Sequence, residues 1–204
     1  MTDEVASFYR ERVPAQYNAT LAAQRKSAMD DAAAQTMLEE MEAVRASIVV
    51  CVGEASFAFD IERGAMTRAD APTRPPFLVM RHTLEDFEAI HEACGDSLLG
   101  FLGALAGLGD EMRITSQRVR SLRELAGGVR LVHEGKPGFT LDAWFGDTGE
   151  RADPDATIRL AADTFAQLRS GALDPQEAFL AGAIPIEGDE GLAIGLALAA
   201  MSPE

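Results

Sequence analysis

The 204-residue chain has few cations, few aromatics and almost no cysteine. Its 18 Lys and Arg stand against 33 Asp and Glu, a formal net charge of −15 at pH 7. A surface that negative repels phosphate backbones and anionic lipid headgroups, so nucleic acid is not an expected partner. No local Lys/Arg cluster overrides the average, and the acidity by itself implies no more than solubility. The two cysteines, Cys51 and Cys94, form no metal-ligand spacing, and Cys51 lies in the apolar run Ile48 to Val52. Both read as buried free thiols of a reducing compartment, with a disulfide as the alternative that no spacing supports. Long apolar runs are absent too. The longest, Leu98 to Leu108, is broken by Gly100, Gly103 and Gly107 and is about half the length that spans a bilayer. The opening Met1-Thr2-Asp3-Glu4 is acidic and lacks a basic-then-apolar signal. These absences predict a soluble, cytoplasmic protein without stable membrane insertion.

Catalytic patterns are equally scarce. His82, His91 and His133 are too far apart to share a metal on one helical turn. Glu39, Glu40 and Glu42 read as a solvated helix face, and Glu187, Asp189 and Glu190 as a helix start. Gly103, Gly107 and Gly109 are followed by no Lys-Ser/Thr, so they make no phosphate loop. No Ser or Cys sits in a nucleophile elbow. The expectation is a non-enzyme with no cofactor and no metal.

What the chain does have is apolar residues, 47% of the total, enough to build a core. Residues 1–45 read as N-terminal helices, divided by Pro14 and carrying Leu38, Met41 and Val44 at helical spacing. Strands are expected at Ser47–Val52, Phe57–Ile61 and Phe77–Met80. Helices follow at Leu84–Cys94 and Ser97–Leu105, then a short strand at Met112–Thr115 and a helix at Gln117–Leu125. After Gly127-Gly128 the order begins again. Strands are expected at Val129–Val132, Phe139–Ala143 and Ala156–Leu160, and a helix at Thr164–Ser170 with Gly171 after it. Asp174-Pro175-Gln176-Glu177 starts another helix, with Asp at the N-cap and Pro at the first helical position. Ile184-Pro185-Ile186 is an edge strand, and a last helix spans Glu190–Met201.

The recurrence is an internal repeat. Phe57 to Ile61 matches Phe139 to Ala143, Met80-Arg81-His82 matches Ile158-Arg159-Leu160, Phe87 matches Phe165, and Phe101 matches Phe179. The expected organisation is N-terminal helices at 1–45, a diverged repeat at 46–127 and a second repeat at 128–204.

The second repeat carries Asp155 to Leu160, Phe165, Leu168, Gly171, Asp174 to Phe179, Gly182, Ile184, Ile186, Gly188-Asp189 and Gly191-Leu192-Ala193. In this order they resemble the sterol carrier protein family (type two, the non-specific lipid transfer proteins). The first repeat fits the same template more loosely. The resemblance implies an α+β fold. The expected architecture is tandem sterol-carrier-like repeats, each a mostly antiparallel five-stranded sheet with helices on one face, preceded by the N-terminal helices. It also implies an apolar tunnel between sheet and helices, closed in part by the last helix. The chain ends Ser202-Pro203-Glu204, without the peroxisomal tripeptide that some family members carry. The shortness of the segment between Phe145 and Asp155 implies a reduced or open cavity.

The last helix, Leu192 to Met201, is apolar all round, so it has two sides to bury. One side can pack on the sheet. The other needs a ligand, a partner subunit or the other repeat. Phe139, Leu141, Phe165, Phe179, Ile184, Leu192 and Leu196 are the candidate ligand-binding residues, each equally readable as core. Trp144 alternates to the face opposite Phe139. The function expected is non-catalytic carriage of an apolar small molecule or lipid, such as a sterol or fatty acyl chain. The alternative is a dimerisation, scaffold or accessory module, with a homodimer covering the same surface.

Overall fold

The computed structural model describes residues 3–109, 112–146 and 153–201. The N-terminal helices are α1 (Asp3–Ser7), a π-turn (Phe8–Arg12), α2 (Val13–Ser27) and α3 (Ala32–Glu42). Pro14 does not divide them. It falls in the first turn of α2, where its missing N–H costs little, and the wider π-turn just before it keeps the axis running. Asp31 caps α3, its carboxylate accepting from the N–H groups of Ala33 and Ala34.

Four strands follow: β1 (Arg45–Val52), β2 (Ala55–Glu62), β3 (Ala65–Ala69) and β4 (Pro76–His82). Next come α4 (Phe87–Cys94), α5 (Gly100–Leu105) and α6 (Ser116–Glu124). The second half follows with β5 (Gly128–Glu134), β6 (Phe139–Phe145), β7 (Ala156–Ala161), α7 (Ala162–Arg169), α8 (Pro175–Leu180), β8 (Ile186–Gly188) and α9 (Glu190–Met201). Met112 to Thr115 is not a strand. It leads into the N-cap of α6, where Thr115 Oγ1 accepts from the Arg118 N–H at 3.2 Å. Of the expected strand Ile184-Pro185-Ile186, only Ile186 falls within a strand, at the edge, although the Pro185 carbonyl accepts from Arg159 N–H at 3.0 Å.

The two expected five-stranded sheets are one. All eight strands lie in the order β3-β2-β1-β4-β6-β5-β7-β8. Each half supplies four strands, and β4 pairs antiparallel with β6 through Leu78↔Phe145, Val79↔Trp144, Met80↔Ala143 and Arg81↔Asp142. An isolated half would leave that edge unpaired, and joining the halves covers both edges at once.

Within each half a hairpin is followed by a parallel strand: β1 pairs with β2 antiparallel and β4 parallel, β5 with β6 antiparallel and β7 parallel. Val50 opposes Phe57 and Met80, and His133 opposes Phe139 and Leu160. Matching Phe57 to Phe139 therefore matches Met80 to Leu160, two residues from the pairing with Ile158 expected above. One sheet face carries Ile48, Val50, Phe57, Phe59, Leu131 and Leu141 into the main core beneath the helices. The opposite face mixes polar pairs with apolar residues, Val49, Ala58, Val79 and Trp144. There Ser47 Oγ donates to Asp60 at 2.6 Å, and Arg130 makes a two-bonded pair with Asp142 at 2.7 and 2.8 Å.

Candidate functional site

Helix α9 is apolar on every side, yet only one side is covered. Ala193, Leu196, Ala199 and Ala200 are buried, whereas Ile194 and Leu198 are 38% and 57% exposed. The buried stripe follows the 3.6-residue period and packs on β7 and the helices α5 and α6. The uncovered stripe, Ile194, Ala197 and Leu198, borders a groove of about 290 Å³. Its other walls are Phe179 of α8, Ile184 and Ile186 at the sheet edge, and Leu105 of α5.

Local chemistry fixes each wall. Asp174 caps α8 by accepting from the N–H groups of Gln176 and Glu177 at 2.8 and 3.0 Å, and Pro175 opens the helix with its φ already set. That orientation turns Phe179 toward the groove. Gly188 (φ +87°) has no room for a Cβ, which would stand 2.4 Å from the Asp155 carbonyl oxygen. The chain therefore turns tightly from β8 into α9, and Asp189 caps α9 by accepting from Leu192 N–H at 2.9 Å.

The groove is chemically plain. Gln176 is its one polar side chain among the described residues. The charges nearby lie on the outer sheet face, where Arg159 donates to Glu187 at 2.9 Å. The hydrogen bond and charge of Arg159 hold the Glu187 carboxyl below its ordinary range. Among the described residues no three His, Cys, Asp or Glu converge as a metal site would require. The arrangement can desolvate an apolar body, and the described residues that line it include no acid, base or nucleophile.

Of the seven candidate residues, two line this groove: Phe179 and Ile184. Leu196 lies on the covered side of α9 and is fully buried. Leu192 is half-buried against Gly127, where an added Cβ would come within 2.6 Å of its Cδ2. Phe139 and Phe165 pack with His133, whose ring stacks on Phe139 at 4.8 Å and meets Phe165 edge-on at 5.2 Å. Phe165 also floors a second cleft, between α4 and α7. Leu141 is buried beside Tyr9 and His82. Trp144 lies on the outer face, as alternation requires, with the Arg81 guanidinium 5.2 Å from its ring centroid. Leu105, Ile158, Ile186, Ile194, Ala197 and Leu198 line the groove without having been candidates; those on α9 carried one usable signal, a stripe opposite Leu196.

Residues 118–199 match the model of the SCP-2 sterol transfer family. This segment is a domain of that family. The match begins inside α6 and takes in every element from there to α9. The family is one of lipid binding and transfer, and its members are generally non-catalytic carriers. Leu105 of the groove comes from α5, outside the SCP-2 domain.

Among solved structures, the apo form of sterol carrier protein 2 from Yarrowia lipolytica shares 22% identity, covering 51% of this chain and 95% of that one, with a TM-score of 0.32. Sterol Carrier Protein 2 Like 2 from Aedes aegypti shares 21%, covering 55% and 94%, with a TM-score of 0.33. The sterol carrier protein domain 2 of Helicoverpa armigera shares 24%, covering 53% and 95%, with a TM-score of 0.33. No curated protein sequence matches the chain. Among the described residues no helix is long and apolar enough to cross a membrane.

Proposed function

We propose that the protein carries an apolar ligand, a fatty acyl chain or similarly slender lipid, in the groove between α8, the β7–β8 edge and α9. The observation that carries this reading is the uncovered stripe of α9: Ile194 and Leu198 remain exposed beside an apolar groove of about 290 Å³. That volume is at the lower end for small-molecule sites, which favours one extended chain over a bulky fused ring system. Burying about a dozen methylenes at ~0.8 kcal/mol each gives on the order of 10 kcal/mol gross. Lost translational and rotational freedom takes back several kcal/mol. Micromolar affinity with little selectivity among chains follows, without any polar contact.

The same reading places carriage in the C-terminal half. The counterpart of α8 in the first half is α5, and all six of its residues are buried beneath α7, α9 and α4. The repeated hairpin-plus-parallel-strand order supports a duplicated ancestral unit, of which one copy keeps an open groove. A dimerisation module is the second reading, favoured by Leu180 at 84% exposure on the same face. Protein stripped of lipid by organic extraction separates the two. Displacement of a fluorescent fatty acid with micromolar affinity supports carriage. A tight dimer that binds no fatty acid supports the module.

A further inference from the structure

The charges around the α8–α9 groove are of one sign. Residues 170–201 hold five carboxylates, Asp174, Glu177, Glu187, Asp189 and Glu190, and no Lys, Arg or His. All five are exposed, and four stand directly beside groove residues in the chain or on the helix. Asp174 precedes Pro175, Glu177 follows Gln176, and Glu187 follows Ile186. Glu190 lies one helical turn before Ile194, so it continues the uncovered stripe of α9 toward the mouth. No Lys or Arg is among the described residues that line the groove.

The cations that come near are engaged elsewhere. Arg159, on the outer sheet face, donates to Glu187 at 2.9 Å and lies 3.9 Å from Glu134, so it is shared between carboxylates already. Arg118, at the far end of α9, is buried and donates to the carbonyls of Ala200 and Arg113. A helix start can also attract an anion, but those of α8 and α9 are occupied by the chain's own carboxylates. Asp174 accepts from the N–H groups of Gln176 and Glu177, and Asp189 from that of Leu192. A carboxylate or phosphate head at the mouth would therefore enter a negative field with no cation to answer it.

The polar side chain the groove does offer is Gln176. A neutral amide both donates and accepts. It suits a hydroxyl or an ester, which asks for a hydrogen bond and needs no counter-charge. We propose that the groove selects lipids with an uncharged head, such as a long-chain alcohol or a neutral acyl ester, over lipids with an anionic one. The inference rests on carriage in this groove and adds the chemistry of the ligand's polar end. A fatty acid still enters by its chain, held more weakly because its head is ionised.

Calorimetric titration of lipid-stripped, full-length protein with decanol and with decanoate tests this, at low salt and about pH 8, where the acid is ionised. The alcohol should bind more tightly. Its weaker hydration favours it in any apolar site, so charge variants isolate the field. In the double variant Glu177→Lys, Glu190→Lys, both at exposed positions, decanoate affinity should rise about tenfold while decanol affinity stays that of the parent. The rise should shrink severalfold between ~10 mM and ~0.5 M salt, as the screening length contracts. Ala197→Trp, in the groove wall, should expel both ligands. Decanoate bound by the parent as tightly as decanol overturns the inference. So does decanoate affinity untouched by the double variant; in either case expulsion of both ligands by Ala197→Trp leaves carriage in the groove standing. Failure of both ligands to bind the parent, or binding of both that survives Ala197→Trp, overturns carriage in the groove and the inference with it.

Discussion

Arg118 on α6 donates from Nε to the carbonyl of Ala200, in the last turn of α9, at 2.9 Å. Arg118 is 2% exposed, and its guanidinium also donates to the Arg113 carbonyl. A cation at a helix C-terminus meets the negative end of the macrodipole and satisfies carbonyls that have no partner within the helix. Arg118 thus joins the first helix of the SCP-2 segment to its last. Each buried carbonyl orphaned by Arg118→Met should cost about 1–3 kcal/mol. Urea unfolding should record that loss. Hydrogen exchange should show α9 amides losing more protection than those of β5 and β6. Uniform loss, or none, would mean that α9 is held by its apolar face alone.

The Tyr9 hydroxyl lies 2.6 Å from His82 Nε2, and His82 Nδ1 lies 2.7 Å from the Thr83 carbonyl oxygen. A carbonyl can only accept, so Nδ1 carries the proton and Nε2 accepts from Tyr9. Burial pulls the His82 pKa below the ordinary imidazole value, and burial does the same at His133. The neutral ring is the folded form, while the unfolded chain takes up a proton at about pH 6.5. The contribution is complete above about pH 6.5 and is lost as pH falls through the lower folded values. Stability should therefore decline between pH 7 and 5. Asp60 contributes only at lower pH. Burial tends to raise its pKa, but hydrogen bonds from Ser47 and Thr73 outweigh that and keep it below the usual carboxylate range. In a His82→Gln, His133→Gln double variant the slope of unfolding free energy between pH 6.5 and 5 should flatten. An unchanged slope would assign the acid sensitivity elsewhere.

Much of the architecture was readable because the period changes are clean. Strands β2, β6 and β7 alternate, β1 is an apolar run, and α9 matches its expected bounds, Glu190–Met201, because Asp189 caps it at one end. Strand β3 was missed because Met66 is its only large apolar residue, so no alternation marks it. The merging of two sheets into one could not be read either, since it depends on β4 meeting β6, two strands some sixty residues apart in the chain. The groove was half legible. Phe179 and Ile184 carry the family pattern, but an all-apolar helix hides its own phase. Leu196 and Leu198 look alike in sequence and lie on opposite sides.

Gly103 illustrates a residue whose role only packing reveals. A Cβ at Gly103 would sit 2.1 Å from the Gly109 carbonyl oxygen, and a Cβ at Gly109 (φ +49°) would sit 2.2 Å from that of Arg169. The glycines let α5, the following loop and α7 stack with backbones in contact. Gly103→Ala should destabilise by about 1–3 kcal/mol through overpacking, despite the better helix propensity of alanine. Calorimetry showing equal or higher Tm would contradict that contact.

Leu196 and Ala197 give opposite outcomes although they are neighbours. Leu196 is fully buried on the sheet side, so Leu196→Ala should cost about 2–5 kcal/mol of stability. Any change in ligand affinity would then follow from loosening α9. Ala197 lines the groove and is half-buried. Ala197→Trp should leave the urea midpoint close to that of the parent while filling the groove. Excluding even two methylenes of a bound chain costs about 1.6 kcal/mol, so affinity for a fluorescent fatty acid should fall at least tenfold. The control is Leu84→Trp, at an exposed apolar position elsewhere on the molecule, which should bind as the parent does. Fatty acid affinity unaltered in folded Ala197→Trp would place the ligand outside the α8–α9 groove, whatever the stability data showed.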